Sequence, residues 1–223
     1  MTTRKFGYWF GGNKLPHGDG RKIRKGATLT VKPPLLLCHH GLHYSKHVLE
    51  AVKYAKDLTQ LWMIEDVGET VVDDDKCCTT ARKHLAKIEA KPILREFSRW
   101  CALRAVRLWD APNVVKAYLR TGDESLRRQA RKAAGHSYTE DASASGSAMW
   151  AANALVTMAS VCYASGAAAR AIAHAAEIAA VSLGASDGEL YQAWLSAGAS
   201  ERLAQRKKLD RMISRAFRKE RMK

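Results

Sequence analysis

Polar and apolar positions alternate with a period of two in the first ninety residues and of nearly four thereafter. That switch predicts strands first and helices second. Phe6–Phe10 (FGYWF), bounded by Gly11-Gly12, reads as a short strand and turn. Asn13–Gly26 is polar and carries Pro16, Gly18 and Gly20, so it reads as a loop. Thr28–Val31 and Leu35–Cys38 are β-rich runs split by Pro33-Pro34, and Gly41–Ser45 continues extended. Ser45 is placed to cap a helix near His47–Lys56, with Val48, Val52 and Ala55 on one face. Leu61–Val67 has the pattern of a buried strand. Gly68-Glu69 bends the chain, Asp73-Asp74-Asp75 makes an acidic turn after Val71-Val72, and Lys76–Leu85 reads as one more strand.

Pro92 suits the first turn of a helix. Ile93, Leu94, Phe97, Trp100, Cys101 and Leu108 then recur at helical spacing as far as Pro112. Val114–Leu119 and Glu124–Ala134, the latter capped by Asp123, predict two short helices. Ser-rich His136–Gly146 reads as a hinge. Further helices are expected at Ser147–Ala164, Ala167–Leu183, Asp187–Ala197 and Ser200–Lys223, punctuated by Gly166, Gly184 and Gly198. The predicted class is α+β: a small mixed N-terminal sheet with one helix, then an Ala-rich helical half. The expected divisions are 1–91, 92–135 and 147–223.

Charge changes this picture most. The chain of 223 residues carries a net charge of +15, which points to a polyanionic or phosphorylated partner. From Glu201 to Lys223 there are ten Lys/Arg against three Asp/Glu, on a helix with a thin apolar stripe of Leu203, Leu209, Ile213, Ala216 and Phe217. Lys208, Arg211, Arg215, Arg218 and Lys219 recur at three- and four-residue spacing, so they share one face and are candidates for phosphate contact. The Gly11–Gly26 loop, with Lys14, Arg21, Lys22, Arg24 and Lys25, has the composition of a phosphate cradle.

Five cysteines, two of them adjacent, and no apolar leader-like segment suit a reducing cytosol. Ala142–Ala169 lacks charge, but its Ala, Ser and Gly content carries little insertion energy, so no membrane span is expected. His39, His40, His43 and His47 with Cys38, Cys77 and Cys78 are a dense set of ligand types. They lack paired zinc spacing, and no metal is assigned to them. No nucleotide-binding loop of the Walker or dinucleotide type is present, and no hydrolase elbow.

Leu37-Cys38-His39-His40-Gly41-Leu42-His43, Leu61-Trp62-Met63-Ile64-Glu65, Gly68-Glu69, Asp74-Asp75-Lys76, Arg95-Glu96-Phe97, Cys101-Ala102 and Arg104-Ala105 together resemble an uncharacterised domain family of bacteriophage and bacterial proteins. The resemblance implies a phage or prophage origin, hence a host cytoplasm, and brings no activity with it. A weaker resemblance joins Gly41–Ser45, the helix with Ala51 and Tyr54-Ala55, and the strand Leu61–Val67 to the centre of ADP-ribosyltransferases. It implies half of an NAD cleft, with His43 or Tyr44 against nicotinamide and Ser45, Tyr54 and Glu65 around it. Phe10 stands where those enzymes carry a histidine, and no late catalytic Glu is evident.

The expected function is therefore an accessory protein, with countering host defence as one form of its role. It would bind a nucleotide or nucleic acid without catalysis, with NAD or a related nucleotide as a candidate ligand. A host protein is a further partner to consider, and so is a second copy of the chain. The alternatives are an ADP-ribosyltransferase-like enzyme and a virion assembly protein that contacts DNA.

Overall fold

The computed structural model describes residues 4–16, 19–135, 148, 151–152 and 161–222. The chain is α+β, with strands in the first half and helices in the second. It divides into two compact units, Met1–Ile93 with Leu209–Lys223, and Leu94–Lys208.

In the first unit all strand pairing is antiparallel, in two sheets. One has the order β1 (Lys5–Phe10), β4 (Gln60–Asp66), β7 (Ala81–Glu89), β2 (Thr28–Thr30). The other has the order β3 (Leu42–Tyr44), β6 (Cys77–Thr79), β5 (Thr70–Val72). The expected single strand Lys76–Leu85 is thus two strands in two sheets. The reason lies at Thr79 and Ala81, where the Thr79 hydroxyl oxygen accepts the Ala81 amide at 3.2 Å and the Val67 amide donates to the Ala81 carbonyl at 3.1 Å, so the backbone at the crossing is satisfied. The pairing of β4 with β7 shifts register between Met63 and Ile64, whose partners are Ala86 and His84, so Leu85 of β7 is the extra residue of a bulge. Trp62, Ile64, Leu42, Tyr44 and Cys77 form the core, closed by Leu15 and Ile23. Gly7 lies directly against the ring of Tyr44, where a Cβ would fall 2.3 Å from it, so that crossing requires glycine.

Leu35–Cys38 is a tight loop rather than a strand. Leu36 and His40 exchange backbone bonds of 2.9 and 2.8 Å, and Cys38 at the tip has φ +68°. The first helix, α1, spans Val48–Lys53 and is shorter than expected. Its N-cap is His47, not Ser45, and the His47 side chain makes no capping bond. Asp210 supplies the cap from a distant part of the chain. Its Oδ1 accepts the Val48 amide at 3.2 Å, and its Oδ2 meets His47 Nδ1 at 2.8 Å. The segment carrying Asp210 buries Leu209, Ile213 and Phe217, and Phe217 stacks on Tyr8 at 6.4 Å.

The second unit is helical. It holds most of α2 (Lys91–Ala105), a 3-10 turn (Val106–Leu108), α3 (Asn113–Thr121), α4 (Arg127–Gly135), α5 (Val161–Ser182) and α6 (Asp187–Arg221) as far as Lys208. The last is one helix where Gly198 was expected to divide it in two. A single interior glycine costs about 1 kcal/mol, too little to stop so long a run. The hinge predicted at His136–Gly146 lies outside the described residues, as does most of the helix predicted at Ser147–Ala164. Ala164, Ala167, Ala168 and Ala171 are buried on α5. Buried Glu201 receives Arg104 at 2.8 Å (Nε) and 2.6 Å (Nη2), and Gln205 Nε2 bonds both Glu201 and the Ser165 carbonyl at 3.1 Å. Among the described residues no helix is long and apolar enough to cross a membrane.

Glu201→Ala strands Arg104 and Gln205 beside a void. The Arg104 side chain is 41% exposed, so its charge is not left buried, and unfolding free energy should fall by about 1–3 kcal/mol, read from urea denaturation. A loss under 1 kcal/mol would show that the network contributes little.

Candidate functional site

The loop after β1 is a closed hairpin. Leu15 N bonds the Arg21 carbonyl at 3.0 Å and Ile23 N bonds the Asn13 carbonyl at 2.8 Å. Leu15 and Ile23 point into the core, so the alternating residues Lys14, Lys22 and Arg24 are left exposed. Gly26, at φ +83°, turns the chain back toward β7, with its amide on the His84 carbonyl at 2.7 Å.

Between this hairpin and the sheet lies a cavity of about 580 Å³. Lys14, Lys22, Arg24 and Lys25 line it from the hairpin, Lys87 from β7 and Arg221 from the last turn of α6. Trp62 and Ala86 also contribute, and Glu220 is the one carboxylate among the described lining residues. Trp62 is held by its indole N–H on the Gly11 carbonyl at 3.1 Å. Lys87 bonds Asn13 Oδ1 at 2.8 Å and sits 5.4 Å over the Trp62 ring. Arg21, grouped with these cations by sequence, is committed elsewhere. It makes a two-point contact with Asp19 at 2.7 and 2.8 Å and donates to the Thr30 carbonyl.

The residues expected around an NAD-type cleft are not gathered in one. β3 and β4, the two strands of that resemblance, belong to different sheets. Tyr44 is buried and donates to Asp66 Oδ2 at 2.8 Å, which leaves no ring face for a ligand. Ser45 is buried, with its backbone exchanging bonds of 2.8 and 3.0 Å with Tyr8. Glu65 faces Arg4 at 3.5 Å. His43 Nε2 accepts the Cys38 amide at 3.0 Å. Tyr54 is half-exposed and donates to Asp75 Oδ1 at 2.5 Å, and that carboxylate, more than burial, raises its phenol to about 12. Among the described residues no three His, Cys, Asp or Glu side chains converge as a metal site.

On α6, Arg211, Arg215, Arg218 and Lys219 are exposed while Leu209, Ile213 and Phe217 are buried. Lys208 falls in the second unit, over the Trp100 ring at 5.7 Å.

Behind the cavity the sheet buries charge. Arg82 is 1% exposed, donates to the His43 carbonyl and lies 4.4 Å over Trp9, and burial pushes its guanidinium down to about 9. It remains charged at neutral pH. His84 is edge-on to Trp9 and Trp62, and neither of its ring nitrogens has a hydrogen-bond partner. Burial first, and the Arg82 charge second, push it down to about 4.

Residues 19–96 match the model of an uncharacterised family, the domain of unknown function DUF7666. The match runs from the hairpin through β7 into α2 and includes Lys22, Arg24, Lys25, Trp62 and Lys87 of the cavity. No curated protein and no solved structure matches the chain.

The depressed His84 makes a signed prediction. The folded state keeps it neutral, whereas the unfolded chain protonates it below about 6.5. Its contribution is full above that pH and is lost as pH falls toward about 4, a change of about 3 kcal/mol. Urea midpoints of the parent should therefore drop more steeply over this window than those of His84→Leu. Parallel pH profiles would contradict the assignment.

Proposed function

We propose that this chain is a phage-encoded accessory protein that binds nucleotides or nucleic acid without chemistry, with the basic cavity of the first unit as its ligand site. One observation carries the reading: six cations and a single carboxylate surround a cavity of about 580 Å³. Like charges gathered at this density repel one another, and an anion bridging them relieves that repulsion. Phosphate groups fit best, because several small anionic oxygens can meet several ammonium and guanidinium groups at once. Trp62 is 2% exposed and covered by Lys87, so it offers little ring for stacking. Recognition then rests on charge and not on base identity, and binding should be independent of sequence. Arg215, Arg218 and Lys219 on α6 extend the basic surface for a longer ligand. The phage origin rests on the sequence's resemblance to an uncharacterised family of bacteriophage and bacterial proteins, and a part in countering host defence is one role that fits it.

The test is fluorescence anisotropy with labelled single-stranded DNA, RNA and a labelled nucleoside triphosphate, over a salt series. Affinity should fall steeply with salt and differ little between base sequences. Combined Lys14→Glu, Lys22→Glu and Lys25→Glu should weaken all three ligands by at least about tenfold and flatten the salt slope. Combined Arg215→Glu, Arg218→Glu and Lys219→Glu should weaken only the polymers. Parent-like binding by the hairpin variant, or no binding by the parent at low salt, contradicts the proposal.

A further inference from the structure

From His174 to Ser200 the chain has no buried side chain, although all of it except the connecting turn is helical. The rest of α5 and α6 is different: Ala171 and Ala173 are buried just before this stretch, and Glu201 and Gln205 just after it. The hairpin is nevertheless fixed by local sequence. Gly184 turns the chain at φ +76°, and Glu189 caps the start of α6, accepting the Ser186 amide at 2.8 Å and its hydroxyl at 2.7 Å. His174 meets Trp194 edge-on at 6.2 Å, and Gly198 lies against Ala173, so α5 and α6 pack as an antiparallel pair.

Helices in proteins are held mainly by packing an apolar face, and two helices alone cover little of theirs. Here the apolar side chains are present but uncovered. Ile178, Val181, Leu183, Tyr191 and Leu195 are 38–88% exposed. Ile178 and Val181 share the face of α5 that carries His174, and Tyr191 and Leu195 flank Trp194 on α6. The contact of His174 with Trp194 therefore sets the two rows side by side. At roughly 150–250 Å² for a large side chain, the five expose about 500 Å² per copy, which is large for a monomer. Two such surfaces together bury about 1,000 Å², the least that a specific interface needs, before half-buried Leu190 and Trp194 are counted.

Charge says what can cover this face. There is no Lys or Arg between Arg170 and Arg202, whereas the whole chain carries +15. Two copies repel wherever their cations meet, and here they meet without any. Glu177, Asp187 and Glu189 disfavour a nucleic acid or an anionic membrane at the same place. They do not prevent self-pairing, because Glu177 faces His174 Nδ1 at 3.3 Å and Asp187 and Glu189 sit on the first turn of α6, where its dipole holds them.

We propose that this hairpin is a homodimerisation element, and that two copies of the chain pair through the exposed rows of α5 and α6 into a four-helix bundle. The same patch serves both copies, as a two-fold interface requires. The bundle gives the alanine-rich hairpin the apolar cover that its own unit does not. The inference concerns the second unit and does not rest on the anion-binding reading.

The test is sedimentation velocity of the full, nuclease-treated chain over a concentration series. The parent should sediment as a dimer at micromolar concentration. Combined Ile178→Lys and Tyr191→Lys should weaken dimerisation by at least about a hundredfold, because both side chains sit at the centre of the patch. Lysine suits an exposed helix position, so circular dichroism of this variant should still show a folded helical protein. Leu36→Lys, at an exposed apolar residue of the first unit, should leave the dimer intact. Should the double variant be unfolded, hydrogen exchange of the parent decides: amides within 174–200 should gain protection as concentration rises. A parent that is monomeric up to about 100 µM, a folded double variant that dimerises like the parent, or protection within 174–200 that does not change with concentration overturns the proposal.

Discussion

One carboxylate joins the two sheets. Asp66, at the end of β4, is 8% exposed and takes hydrogen bonds from every strand of the other sheet. Tyr44 of β3 donates at 2.8 Å, Thr79 of β6 at 2.6 Å, and Thr70 of β5 through its hydroxyl. The Gly68 amide adds a further bond at 3.2 Å. Burial alone pulls this carboxyl upward, yet the donors from Thr70, Thr79, Tyr44 and Gly68 outweigh it and hold the group below the usual carboxylate range. A buried charge satisfied this completely fixes geometry, since any shift of one sheet leaves acceptor capacity unfilled.

The positions of the chemistry follow from that joint. With β3 and β6 docked, Gly41 lies against Cys78, whose thiol donates to the His40 carbonyl at 3.2 Å. On the other sheet, β4 and β7 present Trp62 and Lys87 beside one another as the wall on which the basic hairpin closes. The hairpin is anchored through Leu15 and Ile23, which lets its lysines stay exposed without the loop being free to collapse onto solvent. Arg82 and the neutral His84 lie on the buried face of β7, and through Arg82 this unit carries positive charge inside as well as outside.

Much of this architecture was legible in the sequence, for physical reasons that also mark where legibility ended. The change of hydrophobic period near residue 90 is a local signal that corresponds to what the chain does, and of the apolar stripe Leu209, Ile213 and Phe217 are buried, whereas Leu203 is exposed and Ala216 half-buried. Four of the five cations grouped in the Gly11–Gly26 loop line the cavity, because a polar loop with small apolar anchors has few ways to place its lysines. Lys87, Trp62 and Arg221 were not visible as partners, since register and tertiary docking bring them there. Tyr44 looked like a ligand residue and is a core residue, because its role depends on Asp66, 22 positions away. The helix cap at His47 depends on Asp210, 162 positions from Val48, and no local pattern encodes such a distance.

The uptake of phosphate-bearing ligands by the basic cavity is tested most directly by heteronuclear NMR of the labelled protein during titration with a nucleoside triphosphate. The Trp62 indole N–H and the amides of Lys14, Lys22 and Lys87 should shift together and saturate, while Trp100 and the amides around Glu201 stay in place. Saturating shifts around Glu201 with an unmoved Trp62 indole, or no saturable shift at all, would contradict it.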